Sequence, residues 1–428
     1  MTFKPQRILI VAENTSAQMG GEAILPLHYF TRLLDSGLDV WLVTHERVRA
    51  ELRDRLGNKF ERVYFIRDTA FQETVWRIGS WLPKRVANVT AGFLIGASTG
   101  IRMRRLTRQL VREKKITVVH QPAPVSPKFP SHIYDVGAPT IIGPMNGGMS
   151  FPPAFKKTAS SLERLFVSLG RSLSRVANWL IPGKRYASLL LVANERTRRA
   201  LPPGASSNVI ELVENGVDHD LWARQPSSND ETTPSDGVPV FCHLGFLKDM
   251  KAVDIIIEAA ATVLKTRDIR LEIVGDGTER VHLEAFAASL GVQDKVKFLG
   301  FVPQSQCPTI VRRARALLLP SLCECGGAVV LEAMSLGIPV VATRWGGPAD
   351  YLNDECGVLV DPTSRADMVD NFIRAMHTLA DDAKLAQKLG AAGKERVLKN
   401  FTWDSKIETM RGYYDAVAAP RLIPRPRR

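Results

Sequence analysis

Short apolar runs rich in Val, Ile and Leu recur along this chain, separated by longer segments of helical period. That alternation limits the fold more than any other feature. Six runs fall in the first half: Arg7–Ala12, Val40–Thr44, Val63–Ile66, Thr117–His120, Thr140–Gly143 and Leu189–Ala193. Six more follow: Val240–Leu244, Arg270–Val274, Val296–Leu299, Ala316–Pro320, Pro339–Thr343 and Val358–Val360. Between them lie helical patterns such as Asp254–Thr266 and Ala328–Leu336. A strand that reads as an unbroken apolar run is buried on both faces, as in a parallel sheet covered by helices. About six such units build one doubly wound domain, so the expected fold is α/β, with two Rossmann-like domains in tandem. A length of 428 residues suits two such domains.

Composition marks the boundary. Gln225–Val238 (QPSSNDETTPSDGV) is polar and rich in Ser, Thr and Pro, which makes it a surface loop or a linker edge. Asn215-Gly216 ahead of it is a turn signal. A hinge is expected near Leu201–Ser207 and a second crossing near Lys399–Trp403. The organisation expected is a first domain over 1–203, a second over 204–400, a helix over 401–418 returning to the first, and a basic tail over 419–428.

The formal charge is +13, and it is unevenly placed. Trp81–His120 and Ala154–Ala200 each carry a net +8, and the last eight residues add four arginines. Such asymmetry points to an anionic partner. Aromatic residues make up only 7% of the chain, and no nucleic-acid-recognition motif is present, so a membrane surface is the expected partner and nucleic acid is not. Around Leu165–Ile181, apolar residues interleave with Arg171 and Arg175, a pattern shared by membrane-surface helices and by basic helices packed on a core. No stretch reaches the ~18–20 uncharged apolar residues of a spanning helix. The opening MTFKPQRILIVA runs into a strand pattern without a cleavage site, so no signal peptide is expected. Five scattered cysteines suggest neither a disulfide framework nor a zinc site. The expected setting is cytoplasmic, on or near the inner face of a membrane.

Ligands of doubly wound sheets bind beyond the carboxyl ends of the strands. Glycines cluster there: Gly20 and Gly21, then Gly143, Gly147 and Gly148, then Gly275 and Gly277, then Gly326 and Gly327. None forms a G-x-G-x-x-G or a phosphate-loop fingerprint. The strongest segment is Leu317–Pro348, where a buried strand, a loop with Glu324, and Gly326-Gly327 lead into a helix beginning near Ala328. The first N–H groups of that helix lack intrahelical partners and lie at its positive end, which suits a phosphate. Glu324 and Glu332 then stand on either side of the anion site, each able to accept hydrogen bonds from vicinal sugar hydroxyls.

Glu324, seven residues, then Glu332, in a context ending Leu-Glu-Ala-Met-Ser-Leu-Gly-Ile-Pro-Val-Val, resembles the E-x7-E region of retaining glycosyltransferase family 4, the group 1 glycosyltransferases. Ile10–Ala12 with Gly20-Gly21-Glu22, Asn215-Gly216-Val217-Asp218, His243-Leu244-Gly245 with Lys251-Ala-Val-Asp254, and Val274–Gly277 are similar to its other motifs in order. The resemblance implies the GT-B fold, in which two Rossmann-like domains face each other across a cleft. It implies a metal-independent, cofactor-free enzyme that moves a hexose from a nucleotide-diphosphate sugar, with retention, to a saccharide or lipid-linked hydroxyl acceptor in bacterial polysaccharide or glycolipid synthesis. Glu324 would orient the donor sugar, Glu332 the ribose, and Lys251 the leaving diphosphate. Gly20, Gly21, Gly275, Gly326, Gly327 and Ala328 would line the donor site, and Phe301 and Val302 would border the base. His120 would be the active-site histidine, although the family's second histidine, two residues on, is Pro122 here. Phe246 stands where the family carries Arg, which makes Lys248 a candidate for the second cation. Asp218-His219-Asp220 follows a turn and is not read as a metal motif. The rival readings are a nucleotide-sugar epimerase or hydrolase of the same fold, and an inactive membrane-associated scaffold.

Overall fold

The structure is a computed structural model, and it describes residues 6–79, 84–156, 174–218, 221–222 and 237–419. The 225–236 part of the expected linker, most of the Leu165–Ile181 stripe, His219, Asp220 and the tail from 420 lie outside the described residues.

Among the described residues, thirteen parallel strands form two sheets. The first sheet is built from β1 (Arg7–Val11), β2 (Asp39–His45), β3 (Val63–Ile66), β4 (Val118–Gln121), β5 (Thr140–Met145), β6 (Leu189–Val192) and β7 (Val209–Glu211), in the order β3-β2-β1-β4-β5-β6-β7. The second contains β8 (Val240–Leu244), β9 (Arg270–Val274), β10 (Val296–Gly300), β11 (Ala316–Leu319), β12 (Val340–Thr343) and β13 (Gly357–Val360), ordered β10-β9-β8-β11-β12-β13. Every sequence-expected strand is present. The edge strand β7 is additional: its residues are half-buried or exposed, so it carries no apolar run to read.

Both sheets are doubly wound. The chain reverses direction between β1 and β4 in one and between β8 and β11 in the other, and these are the points where crevices open at the carboxyl edges. Ile8–Val11, Val119, Leu190 and Leu191 are wholly or almost wholly buried, as strands covered on both faces must be. In the second sheet Phe241, Leu271, Ile273, Leu318 and Val341 pack against Ile255, Ile256, Ala259 and Ala260 of the Val253–Val263 helix.

The chain divides into two compact units. One comprises 1–148, 160–214 and 406–428; the other comprises 149–159 and 215–405. The boundary expected at residue 203 moves to 214, because pairing of β7 with β6 keeps residues 209–211 in the first sheet. Residues 149–159 leave the first unit altogether, since Phe151 and Phe155 pack on the core of the second. The Trp403–Ala418 helix continues into the first unit from Lys406 onward.

Candidate active site

The second unit gathers its candidate residues on the loops that follow β8, β9, β11 and β12. After β8 the chain turns through Gly245–Lys251 before Ala252, in the left-handed region at φ 49°, starts the Val253–Val263 helix. After β11, Ser321–Gly327 leads to the Ala328–Ser335 helix. These two loops flank the switch point, and they are joined there. The Lys251 ammonium donates to a carboxylate oxygen of Glu324, both side chains being mostly buried, while Ser321 Oγ donates to the same oxygen at 3.3 Å. The Leu322 N–H donates to the Met250 carbonyl at 2.9 Å, which pins the loops together at the backbone.

Glycine is required where these loops meet. A Cβ on Gly275, whose φ is 132°, would stand 1.9 Å from the Gly245 carbonyl oxygen. One on Gly346, at φ 77°, would stand 2.1 Å from the Glu324 carbonyl oxygen, the atom that accepts from the Gly347 N–H at 2.8 Å. Gly327 takes φ 68° as it caps the helix, so the chain turns sharply and Ala328 begins the first turn. Those first-turn N–H groups are a ready place for phosphate oxygens.

Glu332 lies one turn into the helix and is half-buried. Burial pushes its carboxyl up to about 7, while the Gln304 side-chain amide, 3.3 Å away, opposes the rise. Phe301 and Val302 lie just past β10, and Phe301 is 74% exposed. The Gly275 N–H donates to the Gly300 carbonyl at 2.8 Å, which joins the Phe301 segment to the Gly275 loop. Lys251, Glu324, Gly275, Gly326, Gly327, Ala328, Glu332, Phe301 and Val302 thus occupy one edge of the second sheet.

Phe246 is 59% exposed at the position of the missing Arg. The Lys248 ammonium sits 5.6 Å from its ring centroid, a cation–π pairing. Among the described residues Lys248 makes no ion pair, so it is an uncompensated cation on the β8 loop, whereas the charge of Lys251 is already met by Glu324. His243, at the end of β8, is buried, and its Nδ1–H donates to the Leu318 carbonyl at 2.9 Å.

In the first unit the expected histidine lies inside the sheet. His120 is fully buried in β4. Its Nε2–H donates to the Gly143 carbonyl at 2.7 Å, and its Nδ1 accepts from the Tyr414 hydroxyl at 2.8 Å. Tyr29 packs edge-on against the ring at 4.8 Å. Burial pushes the imidazole down to about 4. Both nitrogens of the residue expected as the active-site histidine are thus engaged within the first unit. Gly20 and Gly21 do stand at an open edge, where a Cβ on either would meet nothing within 4 Å. The Glu22 carboxylate accepts from the Val125 N–H at 2.9 Å, which ties that turn to the loop after β4.

Two further residues, Met149 and Ser150, touch the second-unit site without any local signal in the sequence. Met149 Cε lies 2.8 Å from where a Gly346 Cβ would stand, and the Trp345 indole N–H donates to the Ser150 carbonyl at 2.8 Å. Met149 and Ser150 reach this loop through long-range packing.

Known proteins are similar to this chain in sequence and fold. Residues 225–396 fit the family model described as glycosyl transferases group 1. A D-inositol 3-phosphate glycosyltransferase of Salinispora tropica is 35% identical over 236 residues, which are 50% of this chain and 47% of that protein. The chain spans about half the length of such curated relatives. The crystal structure of a glycosyltransferase from Rickettsia africae superposes with a TM-score of 0.67 at 15% identity, covering 97% of this chain and 100% of that one. Anabaena HepE, solved in complex with UDP, superposes at 0.63 with 15% identity over 96% of this chain and all of its own. Residues 225–396 therefore match the group 1 glycosyl transferases, and the chain that carries them has the GT-B fold of these neighbours.

Proposed function

We propose that the protein transfers a hexose from a nucleotide-diphosphate sugar to a hydroxyl acceptor, with retention and without a bound metal, in bacterial polysaccharide or glycolipid synthesis. The observation that carries this reading is the Lys251–Glu324 pair beside the Gly326–Gly327 helix start. Breaking the bond between the sugar and the diphosphate leaves negative charge on the departing phosphate. In this reading Lys251, Lys248 and the first-turn N–H groups stabilise that charge, the kind of preorganised electrostatics that dominates such chemistry. Glu324 holds the donor sugar while sharing Lys251, so the cation is already in position when charge develops. Glu332 accepts from the ribose hydroxyls, and Phe301 and Val302 border the base. The acceptor hydroxyl attacks on the face the phosphate leaves, and its proton passes to a departing phosphate oxygen. HepE is a fold neighbour solved with UDP, which supports a nucleoside diphosphate as the core of the ligand.

The basic first half supports an acceptor at an anionic membrane surface, with the enzyme on its cytoplasmic side. Among the described residues no helix is long and apolar enough to cross a membrane. The test is calorimetric titration with nucleoside diphosphates, followed by incubation of the matching nucleotide sugar with and without glycolipid acceptors. Binding together with acceptor-dependent transfer supports the proposal. Complete hydrolysis or epimerisation without acceptor favours the rival enzyme, and absence of any nucleotide binding removes the catalytic reading.

A further inference from the structure

The first unit's basic residues are not equally available. Arg104 stacks on Tyr134 at 3.6 Å, and both it and Arg108 pair with Asp135. Arg198 and Arg199 pair with Glu195, and Lys184 is buried. Lys128, Arg175 and Arg185 differ: each is exposed, and among the described residues none makes an ion pair. No Asp or Glu occurs in 121–134 or 174–194.

These three cations frame an apolar face. Residues 174–180 are helical, and Ala177 turns inward while Val176, Trp179 and Leu180 are 53%, 75% and 61% exposed. Their i, i+3, i+4 spacing makes a stripe, here on the solvent side rather than the core side. Phe129 and Tyr186 are each 63% exposed close by.

The backbone beneath this face is hydrogen-bonded within the protein. Lys184 Nζ donates to the Ser126, Pro127 and Phe129 carbonyls at 3.3, 2.5 and 2.5 Å. Ser174 Oγ and Asn178 Nδ2 both donate to the Lys128 carbonyl at 2.8 Å, and the Gly183 N–H donates to that of Ser131 at 3.1 Å. The 126–129 carbonyls are all satisfied internally. This leaves no carbonyl of the loop to be stranded at the headgroup–acyl boundary, where an unpaired one is costly because water is scarce.

We propose that the 174–186 face, with Phe129 beside it, is the surface by which the first unit inserts into an anionic lipid leaflet. Trp179 and Phe129 enter the boundary, and Lys128, Arg175 and Arg185 meet anionic headgroups. The inference rests on the proposed membrane association and deepens it by assigning the surface; it does not depend on the donor site.

The test is co-sedimentation of the full chain with vesicles of phosphatidylcholine alone or mixed with phosphatidylglycerol, at low and high salt. Wild type is expected on the anionic vesicles only, with retention falling as salt rises. Trp179→Ser combined with Phe129→Ser should raise the lipid needed for half-binding about tenfold or more, while Trp179→Phe should bind as wild type does. The double substitution lies on exposed residues, and an unchanged thermal midpoint and nucleoside-diphosphate affinity will show that it leaves the fold intact. If wild type binds no vesicle, membrane association itself falls, and this inference with it. If wild type binds but the double variant binds equally well, the assignment of the surface alone is wrong. Equal loss of RNA and vesicle binding in an Arg175→Glu, Arg185→Glu variant, with no effect of the apolar substitutions, would make it a polyanion surface. A wild-type dimer dispersed by Trp179→Ser would make it a self-association face.

Discussion

The hydroxyl of Tyr414 donates to Nδ1 of His120 at 2.8 Å, joining residues 294 positions apart in the sequence. With Nε2 on the Gly143 carbonyl, this bond makes His120 a neutral, fully satisfied part of the first unit's core.

His120→Ala is therefore expected to cost about 2–4 kcal/mol of stability, and Tyr414→Phe about 1–2 kcal/mol, because each leaves a buried partner unpaired. Denaturant unfolding measures both. Nucleoside-diphosphate affinity should not change in Tyr414→Phe. The imidazole also predicts an acid limit. Folding lowers the pKa of His120 from 6.5 to about 4, and that of His243 likewise. As pH falls, the unfolded chain takes up protons first. The contribution is complete above 6.5 and is lost as pH drops towards about 4, amounting to roughly 3 kcal/mol for each histidine.

The Lys251–Glu324 pair makes the two single substitutions unequal. Glu324→Gln should lower kcat by about 100-fold or more while nucleoside-diphosphate affinity holds or rises, since the ammonium is released for phosphate. Lys251→Ala should weaken diphosphate binding about tenfold and monophosphate binding less. Lys248→Ala should follow Lys251→Ala in direction, and adding Phe246→Arg should restore the loss. Calorimetry with both nucleotides reads these outcomes, and equal effects on mono- and diphosphate would remove either lysine from the diphosphate role.

Glu332 sets a second pH dependence. Its carboxyl is raised from 4.5 to about 7, so near neutrality it is only partly ionised in the free protein. An ionised carboxylate accepts two ribose hydroxyls where the acid must also donate. Nucleotide affinity is expected to rise as pH increases through about 7. Glu332→Gln should lose that rise, and comparing variant with wild type cancels the titration of the phosphate itself. For stability the sign is opposite: the benefit of the protonated form is complete below 4.5 and is lost as pH rises to about 7.

Gly275→Ala and Gly346→Ala should each be strongly destabilising, by about 3 kcal/mol or more, because the added Cβ meets a backbone oxygen at 1.9 or 2.1 Å with φ positive. Gly20→Ala meets no atom and should cost about 1 kcal/mol from its φ alone. Thermal denaturation of the three variants orders them.

Much of the second unit could be read from the chain because its site is local. Glu324, Gly326, Gly327 and Glu332 lie within one loop and helix, and unbroken apolar runs marked the strands on either side. The burial of His120 was not legible because a histidine near a strand end looks alike whether it faces solvent or the core. Its partners, Tyr29, Gly143 and Tyr414, come from three distant elements. β7 escaped because an edge strand carries no apolar run, and Met149 and Ser150 because nothing near them announces packing on a loop around Gly346.

The division of the chain has a consequence for its synthesis. The polypeptide passes between units at residues 148–149, 159–160, 214–215 and 405–406. Translation runs from the N-terminus at a pace slow enough for early segments to wait for later ones. The first sheet is complete on the ribosome once β7 emerges, yet the Tyr414 that closes the core over His120 is added only after the whole second unit has been made. The first unit must therefore persist as a nascent chain with an unsealed core until Tyr414 emerges. A polypeptide released early at residue 214 would leave that core permanently open and would be a natural substrate for cellular proteolysis.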